Sequence, residues 1–393
     1  MLASVATVAL SGCSNEEIAN VETSMQNAIG FNVVGSNPGT RATPVNDSEG
    51  LKANDFFVFA FETGKTGEDV TPFMGTHVDD YDHNGVEIFW DKTASKWDYK
   101  NPAELAYWPT VGLDFYAVTP ANAADFWLIH SNEQKIQYTC ADEFSSNDVK
   151  NVDLMYATAF NQTKEGTNGK VKLTFKHALS QVVFRARTEK EGMEVKVGKM
   201  KLFNAVVGQA VFTFPKEGVN ATMDNWGLNE AVPGQASSIP VRDVNAEQTT
   251  VGYAADSKDA TWLSDVKAGE QAGESNVLMM LPQKLTKWTT TPENPVTKTE
   301  ADQASPKQSY LAIECSIMQN GLYVYGSADE LATIYVPFGA DWQPGYRYVY
   351  TLIFGGGYDA DGKPILTPIE FDAEVTPWED KEIDSNFVTT EQN

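Results

Sequence analysis

Alternation with a period of two residues dominates the chain. Its clearest stretch is 369–375, where Ile369, Phe371, Ala373 and Val375 alternate with Glu370, Asp372 and Glu374. Successive side chains of a strand leave opposite faces, so this stretch has one dry face and one wet face, as strands of antiparallel sheets do. Tyr310–Met318 reads the same way, with Leu311, Ile313, Cys315 and Ile317 on one face and Glu314 and Ser316 on the other. In Arg347–Phe354, Tyr348, Tyr350, Leu352 and Phe354 align. Asp55–Phe61 (DFFVFAF) and Leu113–Val118 (LDFYAV) are denser apolar strands. Val171–Phe175 and Gln181–Thr188 follow each other closely, as a hairpin or a sheet corner. Met200–Phe214 gives one or two strands with bends at Asn204 and Gly208, and Val277–Leu281 is stopped by Pro282. Helical recurrence is limited to one or two turns within Asn101–Tyr107.

Many short strands with turn residues between them predict an all-β chain built of antiparallel sandwiches with little helix. The 393 residues are too many for one sandwich and suit two in tandem. The polar stretch Lys164–Lys170 (KEGTNGK) is the strongest break, and divides a first sandwich at 28–165 from a second at 166–393 with a tail at 379–393. Thr289–Lys307, rich in Thr and Pro, reads as a long exposed loop of the second.

Composition narrows the function. Hydrophobic residues make up 42 %, enough for two sizeable cores, and the 11 % aromatic share favours strands. Against 29 Lys and Arg stand 54 Asp and Glu, a net charge of −25 that repels phosphate backbones and excludes nucleic acid as a partner. The three cysteines, Cys13, Cys140 and Cys315, form no close pair, which excludes a disulfide framework or a zinc site. A single Cys140–Cys315 bridge stays open beside the simpler reading of two buried free thiols.

The N-terminal residues 2–11 (LASVATVALS) form an apolar run of signal-peptide length, too short to span a bilayer. Leu10-Ser11-Gly12-Cys13 resembles a bacterial lipobox. Residues 1–12 are therefore expected to be a signal peptide, truncated because no basic residue precedes the run. Cys13 is the expected lipid-attachment residue, with two acyl chains supplying a stable palmitate-type anchor. Residues 13–27 read as a polar tether, and Ser14–Glu17 resembles the acidic surface-export tag of Bacteroidales lipoproteins.

Catalytic patterns are absent: there is no GxSxG, no HExxH and no P-loop, so no catalytic residue, metal or cofactor is expected. His77-Val-Asp-Asp-Tyr-Asp-His83 gathers two His and three Asp, but alternation splits them between two faces, as in a solvated hairpin tip. Tyr358-Asp359-Ala-Asp361-Gly362 has the opening of a calcium loop, yet Lys363 and Pro364 occupy positions that require a ligand and a glycine. It is expected to be a turn. Trp90, Trp97, Trp108 and Trp127 could stack on sugars, though rings of this kind more often fill cores.

Several segments, in order, resemble the Bacteroidales fimbrillin-like family, subunits of type V pili and their relatives. They are the lipobox at Leu10–Cys13, Thr40-Arg41-Ala42, Asp55–Phe61, and Tyr107-Trp108-Pro109 followed by Phe115–Pro120. Further on come Asp153–Ala157, Leu173-Thr-Phe175-Lys-His177-Ala178-Leu179 with Val182–Phe184, Trp342–Tyr348 and Val375–Trp378. The resemblance implies two transthyretin-like sandwiches on a lipidated precursor exported to the outer membrane surface. It implies cleavage after Arg41 by a trypsin-like protease, and loss of a first strand carrying Ala28, Phe31, Val33 and Val34. A neighbouring subunit then fills the groove with its C-terminal strand, for which Ile383, Phe387 and Val388 are this chain's candidate donor residues. His177 is expected to be a satisfied structural residue. Partners would be other fimbrial subunits, a host or bacterial surface ligand, and the membrane through the lipid. A different class, a surface glycan-binding lipoprotein of a polysaccharide-uptake system, fits the same address label and would keep its lipid and stay uncut at Arg41.

Cys13→Ala is expected to release the protein from the membrane fraction or leave the signal uncleaved. Acyl labelling of cells expressing the variant checks this, and unchanged labelling contradicts it.

Overall fold

The computed structural model describes residues 27–35, 51–65, 70–75, 85–121, 127–130, 134–140, 153–228, 238–242, 248–263, 278–354, 358–363 and 370–377. Regular structure among them is nearly all strand, as the alternation predicts. In the first half the strands are β1 (Gly30–Gly35), β2 (Phe56–Glu62), β3 (Val86–Asp91), β4 (Lys96–Tyr99), β5 (Leu113–Thr119), β6 (Trp127–His130), β7 (Lys135–Cys140), β8 (Met155–Gln162) and β9 (Lys170–His177). Next come β10 (Ser180–Thr188), β11 (Met193–Phe203), β12 (Gly208–Thr213), β13 (Trp226–Leu228), β14 (Ser238–Arg242), β15 (Thr249–Val251) and β16 (Thr261–Trp262). The rest are β17 (Leu278–Met280), β18 (Lys284–Lys287), β19 (Gln308–Gln319), β20 (Leu322–Tyr325), β21 (Ala332–Pro337), β22 (Ala340–Asp341), β23 (Tyr346–Phe354) and β24 (Glu370–Pro377).

Four sheets form two bodies. In the first body a seven-stranded sheet of order β1-β9-β8-β5-β2-β3-β4 is backed by a four-stranded sheet, β13-β12-β7-β6. In the second, β16 and β17 share one edge of β10, followed by β23 and β24. That sheet faces a larger one centred on β11 and β19.

Why Asp55–Phe61 is so apolar is now plain. Phe56, Val58 and Ala60 enter one core with Leu113, Phe115 and Ala117 of β5, while Phe59 and Phe61 enter a second core with Tyr116 and Val118. Both faces of these central strands are buried, and the carboxylate buried with them, Asp114 of β5, accepts from the Thr63 hydroxyl and from the backbone N–H groups of Gly64 and Asn161. The seven-stranded sheet rolls until its ends meet: the Tyr99 hydroxyl of β4 donates to the Ile29 carbonyl, just before β1, at 2.9 Å. The other face is covered by Ile136, Tyr138, Phe212 and Trp226 of the four-stranded sheet and by Met279, Leu281 and Val349 at the junction with the second body.

The alternation read for the second body holds. Leu311, Ile313, Cys315 and Ile317 share a core with Tyr348, Tyr350, Leu352 and Phe354, and Ala373 and Val375 pack against it. Asp372 and Glu374 are exposed. Ser316, expected on the wet side, is buried. Cys315 is a free buried thiol, so the bridge to Cys140 is not made, and burial pushes its pKa up to about 12. Asn204 and Gly208 have φ of 61° and 87° and end β11 and begin β12 as the bends expected there.

Three expectations need correction. The boundary at 165/166 falls in a short helix, Lys164–Thr167, that joins β8 to β9 within a single sheet. Beyond it, β12 also returns to the first body to pair with β7, and β13 pairs with the far side of β12. The chain passes between bodies at Ala178–Leu179, a sheet corner where the indole of Trp226 donates to Ala178 O at 2.8 Å and Gly345 N donates to Leu179 O at 2.8 Å. Turn chemistry marked a reversal but could not say which sheet the next strand would join. The sheets are also not purely antiparallel: β1 with β9, β10 with β23, and β18 with β19 are parallel pairs, made by long crossovers. Lastly, Thr289–Lys307 is not simply exposed. It carries a helix, Lys298–Gln303, opened by a capping box of Thr297 and Glu300, and its buried Ala301 packs with Trp288, Tyr310 and Tyr358.

His177 ends β9 with Nδ1 2.9 Å from Asp153 Oδ1, both groups buried beside the corner. It is a structural residue, as expected. His177→Ala takes the imidazole away from a buried carboxyl, and is expected to lower stability by about 3 kcal/mol. Calorimetry of the variant checks this; a loss below about 1 kcal/mol contradicts it.

Candidate functional site

β1 and the groove it occupies form the candidate site. The strand lies at the edge of the seven-stranded sheet and pairs in parallel with β9, in register from Gly30 opposite Lys170 to Gly35 opposite Phe175. Just before it, Ala28 makes an antiparallel bridge with Tyr107. Ile29 N donates to Ala106 O at 2.9 Å and Trp108 N to Asn27 O at 3.0 Å. The segment is thus held between β9 on one side and residues 106–108 on the other.

Side chains follow the period of two. Ile29 is 1 % exposed and Phe31 5 %, and Val33 is half-buried against the same core. The Phe31 ring meets Phe56, Tyr99 and Phe115 at centroid distances of 5.9, 6.1 and 6.3 Å. Asn32 and Val34 face outward. Burial holds the Tyr99 phenol above its ordinary pKa, so it remains a donor to Ile29 O at neutral pH. Trp108 is buried, and its indole N–H reaches Gly169 O at 3.3 Å, plugging the end of the roll; Tyr107 is exposed on the rim.

Every bond described here between this strand and the sheet is non-covalent. Burial of Ile29 and Phe31 contributes about 2 kcal/mol each. Removing the strand would expose the rings of Phe56, Tyr99 and Phe115 and the free edge of β9, a slot for another strand with apolar side chains two apart.

The structure therefore separates the residues expected here. Phe31 and Val33 are anchors, Ala28 is a half-buried bridge residue, and Val34 is 37 % exposed and faces away from the core, because a strand cannot present neighbours to one face. Ile29, the most deeply buried residue of the segment, was missed; strict alternation through Phe31 and Val33 would have found it. Arg41, Cys13, Ile383, Phe387, Val388, His77 and His83 lie outside the described residues.

Elsewhere the chemistry is structural. Asp359 Oδ1 accepts from the backbone N–H groups of Asp361 and Lys363 at 2.9 Å each, making the turn expected there. Among the described residues no group of three His, Cys, Asp or Glu is placed to hold a metal. Trp97 and Trp108 are buried in the core and Trp90 is half-buried against it, with the Lys52 ammonium 4.6 Å from its ring centroid; the Trp127 side chain lies outside the description.

A family model described as fimbrillin-like matches residues 40–378. Among solved structures, a fimbrial protein from Bacteroides vulgatus is similar at 16 % identity and a TM-score of 0.48, over 90 % of this chain and 99 % of that one. The tip fimbrial protein Mfa3 from Porphyromonas gingivalis is similar at 11 % identity and a TM-score of 0.34, over 86 % and 97 %. No curated protein matches the sequence.

Phe31→Ala empties the centre of the groove and is expected to cost about 3 kcal/mol. Hydrogen exchange should show the loss first in the β1–β9 ladder, and protection there equal to the parent's contradicts the assignment of Phe31 as the anchor.

Proposed function

The chain belongs to the fimbrillin-like family, and from that premise we propose that it is a structural subunit or accessory adhesin of surface fimbriae, joined to its neighbours by exchange of β1. The observation that carries this is the construction of the groove. A six-residue edge strand holds a core closed through Phe31 and the adjoining Ile29. Between its last residue, Gly35, and Leu51 of the same core runs the segment that contains Arg41.

A cut after Arg41 leaves β1 attached only by its ladder and its buried side chains. A donor strand then competes for the same edge of β9, its main chain replacing the ladder and alternate apolar side chains replacing Ile29, Phe31 and Val33. Residues 379–393 hold the candidate donor positions Ile383, Phe387 and Val388, and they also hold Glu379, Asp380, Glu382, Asp384 and Glu391. So acidic a tail binds an apolar groove weakly, which suits an anchor, tip or accessory subunit that accepts a strand more readily than it gives one. Lipid on Cys13 places the subunit at the outer membrane surface, and the charge of −25 keeps copies apart until a specific contact forms.

Arg41→Ala is expected to abolish the high-mass ladders that cell-surface fimbriae give in mild detergent, and mass spectrometry of the parent should find a mature N-terminus at Ala42. Deletion of 379–393 should reduce ladders only if the chain donates. Parent-level assembly by both variants rules out strand exchange through this chain.

A further inference from the structure

We infer that the slot of β1 divides two tasks between two sets of contacts. A polar clamp made by Tyr99, Ala106 and Trp108 binds the main chain of whichever strand occupies the slot and sets how long it stays. The rings of Phe56, Tyr99 and Phe115 read the central side chain and set which strand wins, favouring an aromatic residue there. This rests on the strand-exchange reading and names the residues that govern the exchange.

The clamp is a closed set of bonds around Ile29. Its N–H donates to Ala106 O at 2.9 Å, and its carbonyl accepts from the Tyr99 hydroxyl at 2.9 Å. The backbone of Ala106 hydrogen-bonds the same Tyr99 oxygen, which completes the circuit. Two residues back, Trp108 N donates to Asn27 O at 3.0 Å. On the opposite side Gly30 N donates to Gly169 O at 3.0 Å. Residues 27–30 are therefore held from both sides.

Each of these bonds ends on a main-chain atom of the strand. Any strand in the slot offers N–H and C=O groups of the same kind, so the clamp does not tell one sequence from another. What it adds is hold. With the slot empty, the Tyr99 hydroxyl, Ala106 O and Trp108 N lose these partners beside an apolar core, and an unmade buried hydrogen bond is costly. A leaving strand must break them before another can form them, so they slow departure whichever strand is leaving.

The ring site works differently. Phe56 and Phe115 stand at 88° and 82° to the Phe31 ring, the edge-to-face arrangement that aromatic pairs favour. Both are buried, and both are backed by further rings: Trp97 and Phe175 lie 5.2 and 5.4 Å from Phe56, and Trp108 6.0 Å from Phe115, centroid to centroid. Walls backed in this way resist closing over a gap. A smaller central side chain leaves a cavity and gives up the edge-to-face contacts. Val33, two residues on, is only half-buried and tolerates more variety.

The two sets therefore act on two quantities. Clamp bonds enter the binding of β1 and of a competitor alike, so they cancel from the ratio of affinities and remain in the rate of exchange. Ring contacts differ between strands and remain in the ratio.

The test offers a fluorescent synthetic peptide of residues 27–35, and its Phe31→Leu form, to the full chain cut after Arg41. The cut parent should take up the Phe31 peptide about tenfold in preference to the Leu form. Tyr99→Phe keeps the ring and removes the hydroxyl. It should raise the exchange rate about tenfold and leave the preference within about twofold of the parent's, a split that a general loosening of the fold would not give. A parental rate in Tyr99→Phe, or a preference that collapses with it, overturns the clamp. Equal uptake of the two peptides by the cut parent overturns the ring site and leaves the exchange reading intact. A cut parent that takes up neither peptide overturns both the division of tasks and the exchange reading.

Discussion

The structure depends on one constraint: the central strands of the first body are apolar on both faces, and both faces must be covered. β2 and β5 send Phe56, Val58, Leu113 and Phe115 one way and Phe59, Phe61, Tyr116 and Val118 the other. A flat sheet with a single backing layer would leave one set in water, at about 2 kcal/mol for each large side chain. The chain solves this by rolling the sheet over one set and laying a second sheet and the neighbouring body over the other.

That solution creates the weak point. A rolled sheet needs a closing strand, and the closing strand here is short, lies at the edge and stands at the start of the described chain. It completes a core without being covalently locked into it. The second body is built differently. Its longest strand, β19, has twelve residues and is flanked by β11 on one side and by β20 and β21 on the other, so its core is closed by central strands. The corner at Ala178–Leu179, with the His177–Asp153 contact beside it, joins the two bodies.

Much of the fold was legible because burial imposes a period. The faces of β19, β23 and β24 could be read from alternation, and the density of Asp55–Phe61 announced a strand with no wet side. The candidate site was half legible. The strand before Arg41 was visible with Ala28, Phe31, Val33 and Val34 as its apolar residues, but alternation buries Phe31 and Val33 and sends Val34 outward, and the buried Ile29 was passed over. The bends at Asn204 and Gly208 were legible for a separate reason: only residues that tolerate positive φ stand there.

Sequence alone determined which residues are strands, where the chain reverses, which faces are dry, and that the surface is strongly acidic. These are local properties, set by side-chain chemistry and backbone sterics over a few residues. The tertiary structure alone decided which strands pair. It put β9 and β12 with the first body though they follow the strongest turn signal in the chain, made β1 a parallel partner of β9, and brought Tyr99 and Trp108 to the strand they hold. Pairing is settled by competition among distant segments for the same apolar surface, and a strand's own sequence carries its faces but not the identity of its neighbours.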